Sequence, residues 1–152
     1  MSTLHLHQTT TATPEQFVAG LTDFGPDRST IFPNSQDQNL IVHSQAATEA
    51  DVTEGTGAVW ERLHYDWSDP NRVVVTDTDS NTWGGQSGYV YTLTRRPDGL
   101  TDVDEVVVRD GKTVKGRLIG FAIGTVGKRT FANGLASTVK AIEDRNYAPH
   151  AA

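Results

Sequence analysis

Thr3 to Thr9 reads TLHLHQT, an alternation of period two. It predicts a first strand with Leu4 and Leu6 on the buried face and His5 and His7 on the other. The period then changes. Thr13-Pro-Glu-Gln supplies a cap, a proline suited to the first helical position and two polar first-turn residues. Phe17, Val18 and Leu21 carry that helix on to Gly25-Pro26, and a second short helix is expected over 26–32, stopped by Pro33-Asn34. Six more strands are predicted, over Asn39–Gln45, Asp51–Thr56, Ala58–Trp67, Asn71–Asp79, Gln86–Arg95 and Leu100–Asp110. The turns between them carry Gly55, Gly57, Asp69-Pro70-Asn71, Gly84-Gly85 and Pro97-Asp98-Gly99. Strands so closely spaced imply a meandering antiparallel sheet. From Lys112 to Asn146 the pattern is helical, and one long helix is expected.

The turn at Pro97-Asp98-Gly99 sets a register. A three-residue loop with a left-handed glycine pairs Arg96 with Leu100, so Leu93 faces Val103, Tyr91 faces Glu105, Tyr89 faces Val107 and Ser87 faces Arg109. The inner face then holds these tyrosines, Leu93, Val103 and Val107, and two charges, Glu105 and Arg109. On the strand over 58–67 the inner set is Val59, Leu63, Tyr65 and Trp67, with Glu61 among them. A slip of one residue would reverse that face.

The terminal helix carries glycine at 116, 120, 124, 127 and 134. At roughly 100° per residue these fall in one stripe about 80° wide, shared with Phe131, Thr138 and Ile142 and opposite Lys115, Arg129, Lys140 and Glu143. Each glycine costs roughly 0.5–1 kcal/mol of helix stability relative to alanine. A buried face stripped of side chains either admits the sheet closely or leaves room for a ligand.

Composition narrows the function. The chain has 152 residues, enough for one domain with a core. Its net charge of −6 and scattered acidic groups argue against nucleic-acid binding. The absence of cysteine excludes disulfides, thiolate metal sites and cysteine nucleophiles. MSTLHLHQTT lacks the pattern of a signal peptide, and the most apolar window, 118–126, is far too short to span a membrane, so a cytoplasmic protein without stable membrane insertion is expected.

Three stretches carry a resemblance: Val59-Trp60-Glu61-Arg62-Leu63-His64-Tyr65-Asp66-Trp67-Ser68-Asp69-Pro70, Thr78-Asp79-Ser80-Asn81-Thr82-Trp83-Gly84-Gly85-Gln86-Ser87-Gly88, and Arg109-Asp110-Gly111-Lys112 leading into the glycine-rich helix. With the order of elements, they resemble the helix-grip fold of the START and birch-pollen-allergen (SRPBCC) superfamily. Within it, the chain is most similar to the actinobacterial branch of the polyketide cyclase/dehydrase and lipid-transport family. The resemblance implies an α+β fold: a curved seven-stranded antiparallel sheet wrapped around a long C-terminal helix, two short helices after the first strand, and a ligand cavity between sheet and helix.

It implies a hydrophobic or amphipathic small-molecule partner, such as a lipid, an isoprenoid or a polyketide-like aromatic, and no cofactor. The expected walls are Leu63, Tyr65, Tyr89, Tyr91, Leu93, Val107, Gly120, Phe121 and Gly124, with Trp83 as a lid over the mouth. Glu61, Glu105 and Arg109 would fix a ligand's orientation or act as acid–base groups with pKa values displaced by burial. Cyclisation or dehydration of a poly-β-ketone in the same cavity is the alternative function. A third is an interaction protein with a filled cavity, since the nearly apolar helix over 118–126 also fits coverage by a homodimer partner.

Other chemistry is weaker. The first two strands are expected to be neighbours, as the resemblance implies, which would bring His5, His7 and His43 together, but Leu4 and Leu6 claim the buried face and no metal site is expected. Asp77, Asp79 and Asn81 suit a turn better than a calcium loop. His64 has no triad partners, and phosphate-binding glycine loops are absent.

Overall fold

The computed structural model describes residues 1–123 and 127–148. Its seven strands are β1 (Ser2–Thr10), β2 (Ile41–Gln45), β3 (Glu49–Gly55), β4 (Trp60–Asp66), β5 (Arg72–Ser80), β6 (Gly88–Arg95) and β7 (Thr101–Arg109). They form one antiparallel sheet in the order β1-β7-β6-β5-β4-β3-β2. The helices are α1 (Pro14–Leu21), α2 (Val114–Ala122) and α3 (Lys128–Arg145).

Local chemistry accounts for these elements. Thr13 caps α1 through the Gln16 amide, and the Gln16 side chain returns a bond to the Thr13 amide, so two end groups of the helix are satisfied reciprocally. Gly99 adopts a left-handed φ of 88°, and the Arg96 amide donates to the Leu100 carbonyl at 2.7 Å, closing the β6–β7 turn as predicted. Leu93↔Val103, Tyr91↔Glu105 and Tyr89↔Val107 pair as expected. The odd-numbered face of β4 is the inner one: Leu63, Tyr65 and Trp67 are buried and Arg62 is exposed. The core joins that face to Leu4 and Leu6 of β1, Phe17, Val18 and Leu21 of α1, and Leu135, Val139 and Ile142 of α3.

Two expectations are corrected. The second short helix is a single 3-10 turn over Arg28–Thr30, and another 3-10 turn over Asp37–Asn39 delays β2 to Ile41. Helices α2 and α3 stand on either side of residues 124–126, which lie outside the described residues, and α3 is the long C-terminal helix expected. The histidines do not cluster, because β1 and β2 form opposite edges of the sheet. His7 instead meets Asp104 at 2.9 Å, His43 meets Thr53 at 2.7 Å, and no metal-holding group of side chains exists among the described residues.

The glycines also divide. A Cβ on Gly116 would stand 2.4 Å from the Thr82 carbonyl, and one on Gly120 would meet the Trp83 ring at 3.7 Å. Both serve the close seating of α2 on the β5–β6 connection. A Cβ on Gly134 of α3 would meet nothing within 4 Å. Gly124 lies outside the described residues.

Candidate functional site

Four consecutive strands each place one polar side chain on the inner face near α2. Arg109 ends β7, Tyr89 lies on β6, Asp77 on β5 and Glu61 on β4. Arg109 Nη1 meets Glu61 Oε1 at 2.5 Å, and its Nη2 donates to the Tyr89 hydroxyl at 2.7 Å. That hydroxyl donates in turn to Glu61 Oε2 at 2.7 Å. The guanidinium also lies 4.6 Å from the Tyr89 ring and 5.1 Å from the Trp83 ring, distances at which aromatic faces favour a cation. Burial works against the Arg109 charge, and Tyr89 and Glu61 more than offset it, so its pKa is raised and it stays protonated.

Asp77 enters through a β-bulge. Leu63 pairs with Asp77 but Arg62 pairs with Asp79, leaving Thr78 outside the register, its hydroxyl donating to the Arg62 carbonyl at 3.0 Å. The inward alternation Val73, Val75, Asp77 therefore runs up to the bulge, and beyond it Ser80 is buried instead of Asp79. Both Asp77 carboxyl oxygens are buried with no donor from an N–H or hydroxyl group among the described residues. What they do meet is the Glu61 carboxyl, and that contact is a hydrogen bond only when one of the two groups holds a proton. Burial first, and then the Glu61 charge, push the Asp77 pKa up to about 7, against the opposing pull of Arg109.

A second carboxyl, Glu105, is buried on β7 between the Leu6 and Tyr91 positions. Burial raises its pKa to about 7, although the Tyr91 hydrogen bond and Arg109 favour the ionised form. Two carboxyls that titrate near neutrality on one enclosed face can exchange protons with a neighbour at ordinary pH.

A parallel unit adjoins this one. Arg28, from the 3-10 turn, pairs with Glu54 of β3 and donates to the Tyr65 hydroxyl at 3.1 Å, while that hydroxyl donates to Glu54 at 2.6 Å. Arg28 is 1% exposed, and its guanidinium lies 4.5 Å from the Phe24 ring and 4.6 Å from the Phe32 ring. Glu54 and Glu61 are register partners, so the two Arg–Glu–Tyr units meet there and a polar band crosses the inner face of the sheet. The Arg28 unit is saturated by internal bonds; the open hydrogen-bonding capacity is at Asp77.

Of the residues expected to line a cavity, Leu63, Tyr65, Tyr91, Leu93 and Val107 are buried on the inner face, and Tyr89 packs against them half-buried. Glu61, Glu105 and Arg109 point inward with them. Trp83 is no lid: it is 5% exposed, bridged to Gly111, and held between Arg109 and Gly120. Phe121 is not a wall, because the glycine side of α2 is the buried one and Phe121 is 71% exposed. Two surface depressions, of about 480 Å³ near Phe24 and Tyr147 and about 50 Å³ near Ala12 and Ile142, are lined by none of the predicted ligand residues.

Sequence reasoning set Asp77 aside as a turn residue and did not reach Arg28 or Glu54. The alternation from Val73 would have found Asp77. Nothing local marks Arg28 as buried, since the Glu54 carboxylate and Tyr65 hydroxyl that hold it lie 26 and 37 residues away.

No family model matches the chain, and no curated protein is similar to it in sequence. Its fold is shared with solved structures. One is the protein TTHA0849 from Thermus thermophilus, at 11% identity and a TM-score of 0.72 over 95% of this chain and 99% of that one. Another is the Zhui aromatase/cyclase from Streptomyces sp. R1128, at 13% identity and a TM-score of 0.69 over 96% of each chain. A START superfamily protein from Mycobacterium smegmatis follows at 10% identity and a TM-score of 0.66 over 95% of this chain and 97% of that one. Sheet order, terminal helix and these likenesses together give the chain the helix-grip α+β fold that these structures share.

Proposed function

We propose that the protein binds a neutral amphipathic small molecule between the inner face of the sheet and α3, with a hydrogen-bond-donating end on the Asp77–Glu61 pair. The observation that carries this reading is the unfilled acceptor capacity of the buried Asp77 carboxyl. A buried acceptor without a donor costs roughly 1–3 kcal/mol, which a ligand hydroxyl would recover. Arg109 is already neutralised by Glu61, so a ligand carboxylate would have to displace an internal partner. The apolar inner face around Tyr91, Leu93 and Val107 supports an apolar body for the ligand. The fold shared with a START superfamily protein and an aromatase/cyclase agrees with such a role.

Titration with a hydroxylated polycyclic aromatic and with its methyl ether, followed by tryptophan fluorescence, tests the reading. The hydroxyl form binds about tenfold more tightly to the native protein, the worth of one good hydrogen bond, and the preference disappears in Asp77→Leu. Equal binding of the two probes, or binding of neither, overturns it.

A second reading has its own support. Asp77 and Glu105, both with pKa values near 7, suit acid–base chemistry on a bound ketone or hydroxyl, as cyclisation or dehydration requires. Turnover of a poly-β-ketone, lost in Glu105→Gln with the fold intact, distinguishes it from binding alone.

A further inference from the structure

The glycine face of α2 is buried, so its opposite face is presented outward. Val114 is 74% exposed, Leu118 67% and Phe121 71%. With Val114 at zero, a helix of roughly 100° per residue sets Leu118 near 40° and Phe121 near 340°, one apolar stripe. Gly116 and Gly120 fall near 200° and 240°, directly away from it, and both are buried. Arg117, near 300°, and Lys115, near 100°, flank the stripe on its two sides. Both are exposed, as are Lys128 and Arg129 at the start of α3, and none of these four forms an ion pair with a described residue.

The charge of the chain is divided in the same way. Residues 111–142 contain six basic residues and no acidic one, while the remainder holds seven basic and nineteen acidic residues. A protein of net charge −6 thus carries +6 over residues 111–142 and −12 elsewhere. Lys112 and Lys140 pair with Asp79 and Asp144, which leaves Lys115, Arg117, Lys128 and Arg129 as the basic groups of α2 and the start of α3.

We propose that α2 docks this protein on the surface of an anionic lipid bilayer. Val114, Leu118 and Phe121 enter the interfacial region, and Lys115 and Arg117 extend along its edges to the headgroups. Lys128 and Arg129 add attraction at longer range, and the acidic remainder is repelled from the same surface, which holds α2 face down. Charge complementarity selects this occupant over a second copy of the chain. Two α2 faces packed together would bring basic rims into contact with no acidic residue between 111 and 142 to offset them.

Flotation with vesicles tests the proposal, using phosphatidylcholine alone and phosphatidylcholine with about one-third phosphatidylglycerol. The protein floats with the anionic vesicles at low salt, at least tenfold more than with the neutral ones, and binding falls as salt screens the headgroups. Leu118→Ser with Phe121→Ser abolishes flotation, and Lys115→Glu with Arg117→Glu reduces it at least tenfold. All four side chains are solvent-exposed, and circular dichroism confirms that each variant keeps the fold. No flotation with anionic vesicles at low salt, or flotation unchanged in both double variants, overturns the proposal. So does a concentration-dependent mass in sedimentation that Leu118→Ser with Phe121→Ser converts to a single monomer, since α2 then covers a second copy.

Discussion

Gly116 lies against Thr82 so closely that a Cβ on the glycine would stand 2.4 Å from the threonine carbonyl oxygen. The obstacle is backbone, which a side-chain rotation cannot relieve. Gly116→Ala is therefore expected to cost about 1–3 kcal/mol by overpacking. Gly134→Ala meets open space and is expected to stabilise by about 0.5–1 kcal/mol through helix propensity. Gly120→Ala, with ordinary contacts at 3.7 and 3.9 Å, falls between them. Thermal unfolding of the three variants should give that order; a Gly116→Ala protein as stable as the parent would mean that α2 is not tightly seated.

Glu105 should make the protein less stable as pH rises. Its folded pKa of about 7 stands above the ordinary value of 4.5, so the folded state holds the proton more firmly than the unfolded chain. Stability from this group is complete below pH ~4.5 and is lost as pH climbs through ~7, by at most about 3 kcal/mol. Glu105→Gln should therefore raise Tm at pH 8 and match the parent near pH 4. The reverse trend would place the carboxylate in a solvated or cation-paired setting.

The Asp77 carboxyl should titrate near pH 7, and Glu61→Gln should lower its midpoint. Burial remains in that variant, but the like charge is gone and Arg109 is left facing Asp77. Carboxyl carbon resonances followed through a pH series report both values. An unchanged midpoint in Glu61→Gln would show that the two groups do not share a proton.

Glu54→Gln should destabilise by about 3–5 kcal/mol, because it strands a guanidinium whose side chain is wholly buried. The Glu61→Gln loss should be smaller, since the Arg109 and Glu61 side chains retain 7% and 12% exposure and Asp77 stands by as a substitute anion. Urea unfolding of both variants checks the order.

How legible the molecule was depended on how local its cause was. The β6–β7 register was open to reading because one turn, Pro97-Asp98-Gly99, dictates it and the following alternation preserves it. The inward Glu105 and Arg109 followed from the same alternation, and Glu61 from that of the strand over 58–67. Arg28 was hidden because its burial depends on Glu54 and Tyr65 of two distant strands, and a lone arginine in a Pro-Asp-Arg-Ser stretch reads as surface. Phe121 was misplaced for a different reason. A glycine face and an aromatic face on one helix both read as buried, and only the contact between Gly116 and Thr82 decides which of them is.

The pairing of β1 with β7 has a consequence for how the chain comes to be folded. Ser2 lies opposite Arg109 and Thr10 opposite Thr101, so the first strand made is the last to find its neighbour. On a ribosome, Leu4 and Leu6 emerge early and wait for about a hundred further residues while successive hairpins from β2 onward can already zip. Closing so long a loop costs about (3/2)RT ln n and is repaid only when β7 is complete. Until then, His5 and His7 alternating with the two leucines keep the waiting segment from being a continuous apolar run, which limits the chance that two nascent chains pair through it.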